Sequence, residues 1–140
     1  MTTEPDGGVP QFTPIRMLDV ELSRPLTDIS PTRDRDGAVY TRAWVLVRLH
    51  DTPLGLVEVP LPDGTLAAGA LAAAIGAELG GQINDHLRGD GMDPIPALDA
   101  GGAPGADLPP CLAERAAAVA DNPLISVIIA TRDRTDSLAD

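Results

Sequence analysis

Between residues 40 and 61 apolar side chains recur at every second position, and this pattern restricts the possible folds more than any other feature of the chain. Successive side chains of a β-strand point to opposite faces, so a period of two predicts strands that share one apolar face. Turn-forming residues at 51–55 separate two such stretches, which predicts a β-hairpin. Trp44, Leu46 and Leu56 occupy the other face, so both faces are expected to be partly covered. The shared apolar face consists of Val45, Val47, Leu49, Val57, Val59 and Leu61.

An isolated hairpin is only marginally stable, so another element has to cover it. Residues 66–87 are rich in Ala and Leu and carry a large aliphatic side chain at every fourth position, which predicts a helix. Asp63 or Thr65 is expected to cap its start, and Gly80-Gly81 is expected to kink or break it. The aliphatic stripe consists of Leu71, Ile75, Leu79, Ile83 and Leu87.

Aromatic residues make up only 2% of the chain, so its core has to be built from aliphatic side chains. Residues 15–22 predict a further short strand, with Ile15, Met17 and Leu18 facing inward. Together these elements predict an α+β fold, in which a small antiparallel β-hairpin or sheet packs on the Ala-rich helix.

The formal net charge of −11 argues against a protein that binds nucleic acid, because such binding relies on clustered Lys and Arg. The N-terminal segment has neither the basic nor the apolar region of a signal peptide. Apolar runs are far shorter than the roughly 20 residues that a membrane helix requires. The sequence therefore predicts a cytoplasmic protein that has no membrane span and does not bind nucleic acid.

Two acidic pairs could in principle bind a cation. Asp34-Arg-Asp36 has the spacing of a metal-binding motif, but we interpret it as part of a solvated loop. Asp19 and Glu21 share one face of a predicted strand, where an exposed sheet edge is the simpler interpretation.

The histidines and the cysteine are the other candidate ligands. His50 at the hairpin turn and His86 on the helix would have to converge to bind a metal, and the sequence shows no third ligand beside them. Cys111 is the only cysteine, so an intrachain disulfide and a zinc site with two thiolates are excluded. We expect this cysteine to be a small buried side chain and not a nucleophile.

The C-terminal end combines a short helix, a strand and a polar loop. Residues 111–120 predict an Ala-rich helix, and residues 124–130 form a continuous apolar run that is typical of a strand buried on both faces. The polar loop 131–134 and a helix start at Thr135 complete a βα unit, and ligands of such sheets bind at the carboxyl ends of strands. Arginine side chains and a helix N-terminus at that end could bind phosphate, and Asp133 could accept a hydrogen bond from a base or ribose.

Residues 123–138, with the sequence PLISVIIATRDRTDSL, resemble the first strand, loop and helix start of family 2 glycosyltransferases. The resemblance implies that this end is the first βα unit of a GT-A-like α/β domain, which binds a nucleotide-sugar donor. It also implies that the loop contacts the nucleoside and diphosphate of the donor. The implied donor-binding residues are Ala130, Thr131, Arg132, Asp133 and Arg134.

The same resemblance implies further groups that the family carries after its next strand, beyond the first strand and loop. They are a second acidic residue, an Asp-x-Asp-type motif for a divalent Mg²⁺ or Mn²⁺ ion, and an acidic general base. The chain is therefore expected to be the N-terminal portion of a sugar-transferring enzyme, with no catalytic residue and no cofactor of its own, and to be inactive alone.

Its first part also resembles the variable N-terminal extension of some actinobacterial members. The expected organisation is a disordered tail at 1–14, an accessory α+β module at 15–90, a Gly/Pro-rich linker at 91–110 and the start of the catalytic domain at 111–140.

Two alternatives remain. The chain could be a non-enzymatic interaction module in which the C-terminal strand completes the same sheet as the hairpin. It could also belong to another nucleotide-using α/β enzyme, although it contains neither Gly-x-Gly-x-x-Gly nor Gly-x-x-x-x-Gly-Lys.

Overall fold

A computed structural model describes residues 13–105, 108–121, 124 and 126–128. Within these residues the chain has an α+β fold with a three-stranded sheet and two α-helices, and a single turn of 3₁₀ helix at Pro62–Gly64 joins the sheet to the first of them. The predicted fold class is thus confirmed at this level. The elements are β1 (Arg16–Glu21), β2 (Arg42–Leu49), β3 (Thr52–Pro60), α1 (Ala68–Gly89) and α2 (Pro110–Ala120).

The sheet has the strand order β1-β2-β3 and is mixed. β2 and β3 form the predicted antiparallel hairpin, whereas β1 pairs with β2 in parallel, so the sheet as a whole is not antiparallel. Parallel neighbours need a long connection, and residues 22–41 provide it. The hairpin turn lies at His50-Asp51, earlier than the turn-forming residues suggested, because Leu49 already pairs with Thr52.

The core lies between the sheet and α1. All six hairpin residues that were predicted to share a face are buried, and so are all five residues of the helix stripe. Met17 was expected to face inward but is 62% exposed, because it pairs with Trp44 on the outer face of the sheet. Leu18, as predicted, and Val20 pack against the core.

Helix α1 starts without a local side-chain cap. Its N-cap residue is Ala67, so the predicted Asp63 or Thr65 cap is wrong. Asp28 provides the acceptor instead, since its Oδ1 accepts a hydrogen bond from the Ala68 N–H at 2.8 Å. A carboxylate at this end also interacts favourably with the helix dipole.

Contact with the sheet keeps α1 in one piece. The helix runs through Gly80-Gly81 without the predicted break, because the buried stripe continues on both sides of these glycines. Leu79 lies against Gly55 of β3, where an added Cβ would come within 2.8 Å of the leucine Cδ2 atom. The glycine therefore allows the helix to approach the sheet closely.

The end of α1 is a Schellman motif. Gly91 has a positive φ of 74°, its N–H donates to the Arg88 carbonyl at 3.0 Å, and the Met92 N–H donates to the Leu87 carbonyl at 2.8 Å. This pair of bonds satisfies carbonyls that the helix itself leaves free. It also places Asp90 at the C-cap position, directly beside the hairpin turn.

The segment after α1 packs on the module, although it falls within the predicted linker. Leu98 and Ala103 belong to the core, and the Ala103 N–H donates to the Leu22 carbonyl at 2.7 Å. The Leu26 N–H donates to the Ala100 carbonyl at 2.8 Å. Among the described helices none has the length and apolar character needed to cross a membrane.

Replacing Gly91 by alanine is expected to destabilise the module by about 1 kcal/mol, because alanine pays a steric cost at positive φ. Nothing lies within 4 Å of a Cβ at this position, so no clash adds to that cost. Gly89→Ala is the matched control: it lies in the helix with equally open space and should be neutral or slightly stabilising. Urea unfolding of both variants measures the difference, and equal stabilities would contradict the motif.

Candidate metal-binding site

Four side chains from three separate elements converge beside the hairpin turn. They are His50 of the turn, His86 and Asp90 at the end of α1, and Cys111 in the first turn of α2. Each offers one donor atom, and these four atoms all lie within 4.8 Å of one another. We call this group the HHDC cluster.

Most pairs of donor atoms in the HHDC cluster lie within hydrogen-bonding distance of each other. His50 Nδ1 lies 2.8 Å from Asp90 Oδ2 and 3.3 Å from His86 Nε2. Cys111 Sγ lies 3.0 Å from Asp90 Oδ2 and 3.6 Å from His86 Nε2. His86 Nε2 is 3.2 Å from Asp90 Oδ2. Asp90 Oδ2 is therefore the common neighbour of the other three donors.

A strained turn holds His50 in place. His50 and Asp51 have φ values of 51° and 60°, the left-handed region that a two-residue type I′ hairpin requires and that residues other than Gly, Asn and Asp rarely adopt. Glu21 stabilises this turn, since its carboxylate accepts hydrogen bonds from the backbone N–H groups of His50 and Asp51, both at 2.9 Å. The turn thereby directs a buried imidazole toward α1.

The two helices contribute the other donors by simple geometry. His86 and Asp90 are four residues apart, so they lie one above the other on the same side of α1. Cys111 follows Pro110, which suits the first position of α2 because proline has no N–H to leave unpaired. Asp90 Oδ1 accepts a hydrogen bond from the Cys111 N–H at 2.9 Å, so one carboxylate both caps α2 and faces the cluster.

Protonation of the cluster follows from these contacts. Burial alone would raise the pKa of Asp90, but hydrogen bonds from Cys111 and His50 and the charge of His86 outweigh it and lower that pKa. Burial, the hydrogen bond to Asp90 and its negative charge raise the pKa of Cys111 to about 11. Without a metal the thiol is therefore protonated and donates to Asp90, and a protonated thiol is a poor nucleophile.

The donor set is one that can hold a metal ion. Imidazole nitrogen, carboxylate oxygen and thiolate sulfur are the usual zinc ligands in proteins. The sequence suggested the two histidines but no third ligand, and the structure places Asp90 and Cys111 there. The i, i+4 spacing of His86 and Asp90 was the available signal, although Asp90 lies beyond the predicted end of the helix at residue 87. The contribution of Cys111 depends on how α2 docks.

The other acidic candidates have ordinary structural contacts. Asp34 Oδ1 accepts hydrogen bonds from the N–H groups of Asp36 and Ala38, as in a solvated turn. Asp19 forms an ion pair with Arg48 at 3.0 Å, while Glu21 bonds the hairpin turn. The predicted donor-binding residues 130–134 lie outside the described residues.

Comparison with known proteins gives no relative to which the HHDC cluster could be compared. No model of a known protein family matches the chain, and neither the curated proteins nor the solved structures include a significant match.

Replacing Glu21 by glutamine is expected to destabilise the module by about 1 kcal/mol at neutral pH, because the amide nitrogen cannot accept a hydrogen bond from the turn. Burial raises the pKa of Glu21, but hydrogen bonds from Ser23, Asp51 and His50 outweigh this effect and lower it. The ionised form is thus the stabilising one, and its contribution is lost as pH falls through the lowered pKa. Urea unfolding at decreasing pH should show the gap to wild type closing.

The control for this experiment is Glu78→Gln, a change of the same chemistry at an exposed position of α1. It should leave stability nearly unchanged at neutral pH. An equal loss in both variants would mean that Glu21 does not act through the turn.

Proposed function

We propose that this chain is the N-terminal region of a family 2 glycosyltransferase, in which residues 16–121 form an accessory module and the following apolar run begins the nucleotide-sugar-binding domain. One observation supports the second part. Leu124 is fully exposed, and Val127 and Ile128 are 77% and 91% exposed. None of these described residues lies in a strand of the module's sheet.

Exposed aliphatic residues in such a run are costly. Burying one Val, Leu or Ile side chain is worth about 1.5–3 kcal/mol, so a run of strand-forming residues normally finds a sheet. The module already has its own core and does not use Leu124, Val127 or Ile128 for it. Because the module leaves these side chains exposed, we propose that they are buried in a separate parallel sheet, that of the nucleotide-sugar-binding domain.

The proposed activity is transfer of a sugar from a nucleotide-sugar donor to an acceptor hydroxyl. Ala130, Thr131, Arg132, Asp133 and Arg134 would contact the donor, with the arginines toward phosphate. Mg²⁺ or Mn²⁺, an Asp-x-Asp-type motif and a general base would come from the sequence beyond this chain. The accessory module would precede this site and take no part in the chemistry.

Deleting residues 122–140 is expected to change the free energy of unfolding of the module by less than about 0.5 kcal/mol, because the described apolar residues Leu124, Val127 and Ile128 are exposed and lie outside the core cluster. Thermal and urea unfolding followed by circular dichroism measure the effect. Loss of cooperative unfolding would show that the run belongs to the module's sheet, and the glycosyltransferase proposal would then be weakened.

Donor binding tests the proposal directly. In a product that carries this segment and the sequence that follows it, Asp133→Ala should weaken binding of a nucleoside diphosphate at least about tenfold, since a buried hydrogen bond to a charged group is worth about 1.5–3 kcal/mol. Asp121→Ala, before the strand, is the control and should have no effect. Calorimetric titration distinguishes the two, and absence of an Asp-x-Asp-type motif in the longer product would exclude the assignment.

A second candidate, an interaction module, is favoured by the outer face of the sheet. Met17, Trp44 and Leu56 are 62%, 39% and 47% exposed on this face, beside the ion pair of Arg42 and Glu58. Single exposed apolar residues are common, but three on adjacent strands form a small patch. Under this alternative Asp133→Ala would not affect nucleotide binding, whereas Leu56→Ser would weaken association with a partner.

A further inference from the structure

We propose that the HHDC cluster binds one transition-metal ion, with zinc as the best match, and that this ion fastens α2 to the hairpin and to α1. The proposal concerns the accessory module alone and is independent of the glycosyltransferase assignment.

The geometry of the cluster is close to that of a tetrahedral zinc site. Bonds of about 2.1 Å to nitrogen or oxygen and about 2.3 Å to sulfur give donor–donor distances of about 3.3–3.6 Å. Five of the six donor–donor distances are 2.8–3.6 Å, and the sixth is below 4.8 Å. Small outward shifts of Asp90 Oδ2 would therefore admit the ion without a change of backbone.

Donor chemistry selects the class of metal. Thiolate and imidazole ligands favour zinc and related transition metals, whereas Mg²⁺, Ca²⁺ and Mn²⁺ prefer oxygen ligands. With two imidazoles and one thiolate, the cluster differs from the oxygen-rich Mg²⁺ or Mn²⁺ site expected for sugar transfer. Zinc accepts such mixed tetrahedral sites, and four protein ligands suit a structural role better than a catalytic one.

The surroundings hold the donors in position before any ion arrives. Asp90 Oδ1 is bonded to the Cys111 N–H, which leaves Oδ2 as a single donor oxygen. Glu21 fixes the strained turn that carries His50, and strain of this kind is concentrated at functional sites. Outer contacts that orient the ligands are a regular part of metal sites.

An ion could reach the cluster from solvent. A cleft of about 210 Å³ opens beside it and is lined by His86, Asp90, Cys111 and Glu114 among others. The Glu114 carboxylate and the net charge of −11 favour approach of a cation.

The ion would matter most for α2, because this helix contributes no buried residue of its own. Arg115 of α2 also contacts the hairpin: it donates to Thr52 Oγ1 at 3.1 Å and lies 3.8 Å from Asp51 Oδ2. Exposed polar contacts of this kind contribute little stability. A metal bond to Cys111 would add a strong cross-link between α2, α1 and the turn.

The test is metal binding by the full 140-residue chain, using Zn²⁺ and Co²⁺ as the probes. After removal of metal by a chelator, the wild type should bind about one Zn²⁺ per chain, and Co²⁺ should give a thiolate charge-transfer band and tetrahedral d–d bands. Zinc should also raise the melting temperature and slow hydrogen exchange of α2 amides more than those of β2 and β3.

Two variants remove one ligand each with little disturbance of the fold. Cys111→Ser retains a hydrogen-bond donor to Asp90, and His50→Asn retains a side chain that tolerates positive φ. Both should weaken zinc binding at least about 100-fold while keeping the circular dichroism spectrum of the wild type. Asp85→Asn, an exposed carboxylate on α1 outside the cluster, is the matched control and should bind zinc like the wild type.

The proposal is overturned if the wild type fails to bind zinc, if Co²⁺ binds without the thiolate band, or if Cys111→Ser binds zinc as tightly as the wild type. The proposal is also overturned if Asp85→Asn weakens zinc binding as much as Cys111→Ser does, because an equal loss would indicate general attraction of the ion to an acidic surface. If zinc binds but hydrogen exchange of the α2 amides does not slow, the ion does not fasten α2 to α1 and the hairpin, and that part of the proposal is overturned.

Discussion

Packing of α1 on the sheet is the interaction on which the rest of the structure depends. The buried core cluster is aliphatic, with Tyr40 packed against it as a partly buried residue, so the stripe that includes Leu71, Ile75 and Ile83 has to match the hairpin face directly. This packing directs the last turn of α1 to the hairpin turn. His86 and Asp90 meet His50 as a consequence, although 36 and 40 residues separate them from it.

Several acidic side chains accept hydrogen bonds from backbone N–H groups that residues nearby in the sequence do not satisfy. Asp28 caps α1, Asp90 caps α2, and Glu21 binds the N–H groups of the hairpin turn. Each carboxylate comes from a segment distant in sequence from the group it satisfies. Part of the strong negative charge therefore has a specific role: buried or half-buried backbone donors need acceptors, and charged acceptors form strong hydrogen bonds.

Periodicity was sufficient to predict the hairpin and the buried stripe of α1, since these patterns report directly which side chains face a core. Helix α2 buries no side chain and is predicted by its Ala-rich composition. It could not predict the parallel pairing of β1, which exposes Met17, or the distant cap from Asp28, because both depend on tertiary contacts. The HHDC cluster was missed for the same reason. The sequence indicates His50 and His86 only as separate candidate ligands. Asp90 joins them when α1 packs on the sheet, and Cys111 joins them when α2 docks beside Asp90.

The contact between Gly55 and Leu79 links two positions that are far apart in sequence. Any side chain at position 55 would need the space that the leucine fills, so the residues share one volume in the core. Because protein interiors are closely packed, a larger residue at one position requires a smaller one at the other. In related sequences these two positions should therefore covary in size, and a variant enlarged at position 55 should recover stability when position 79 is reduced.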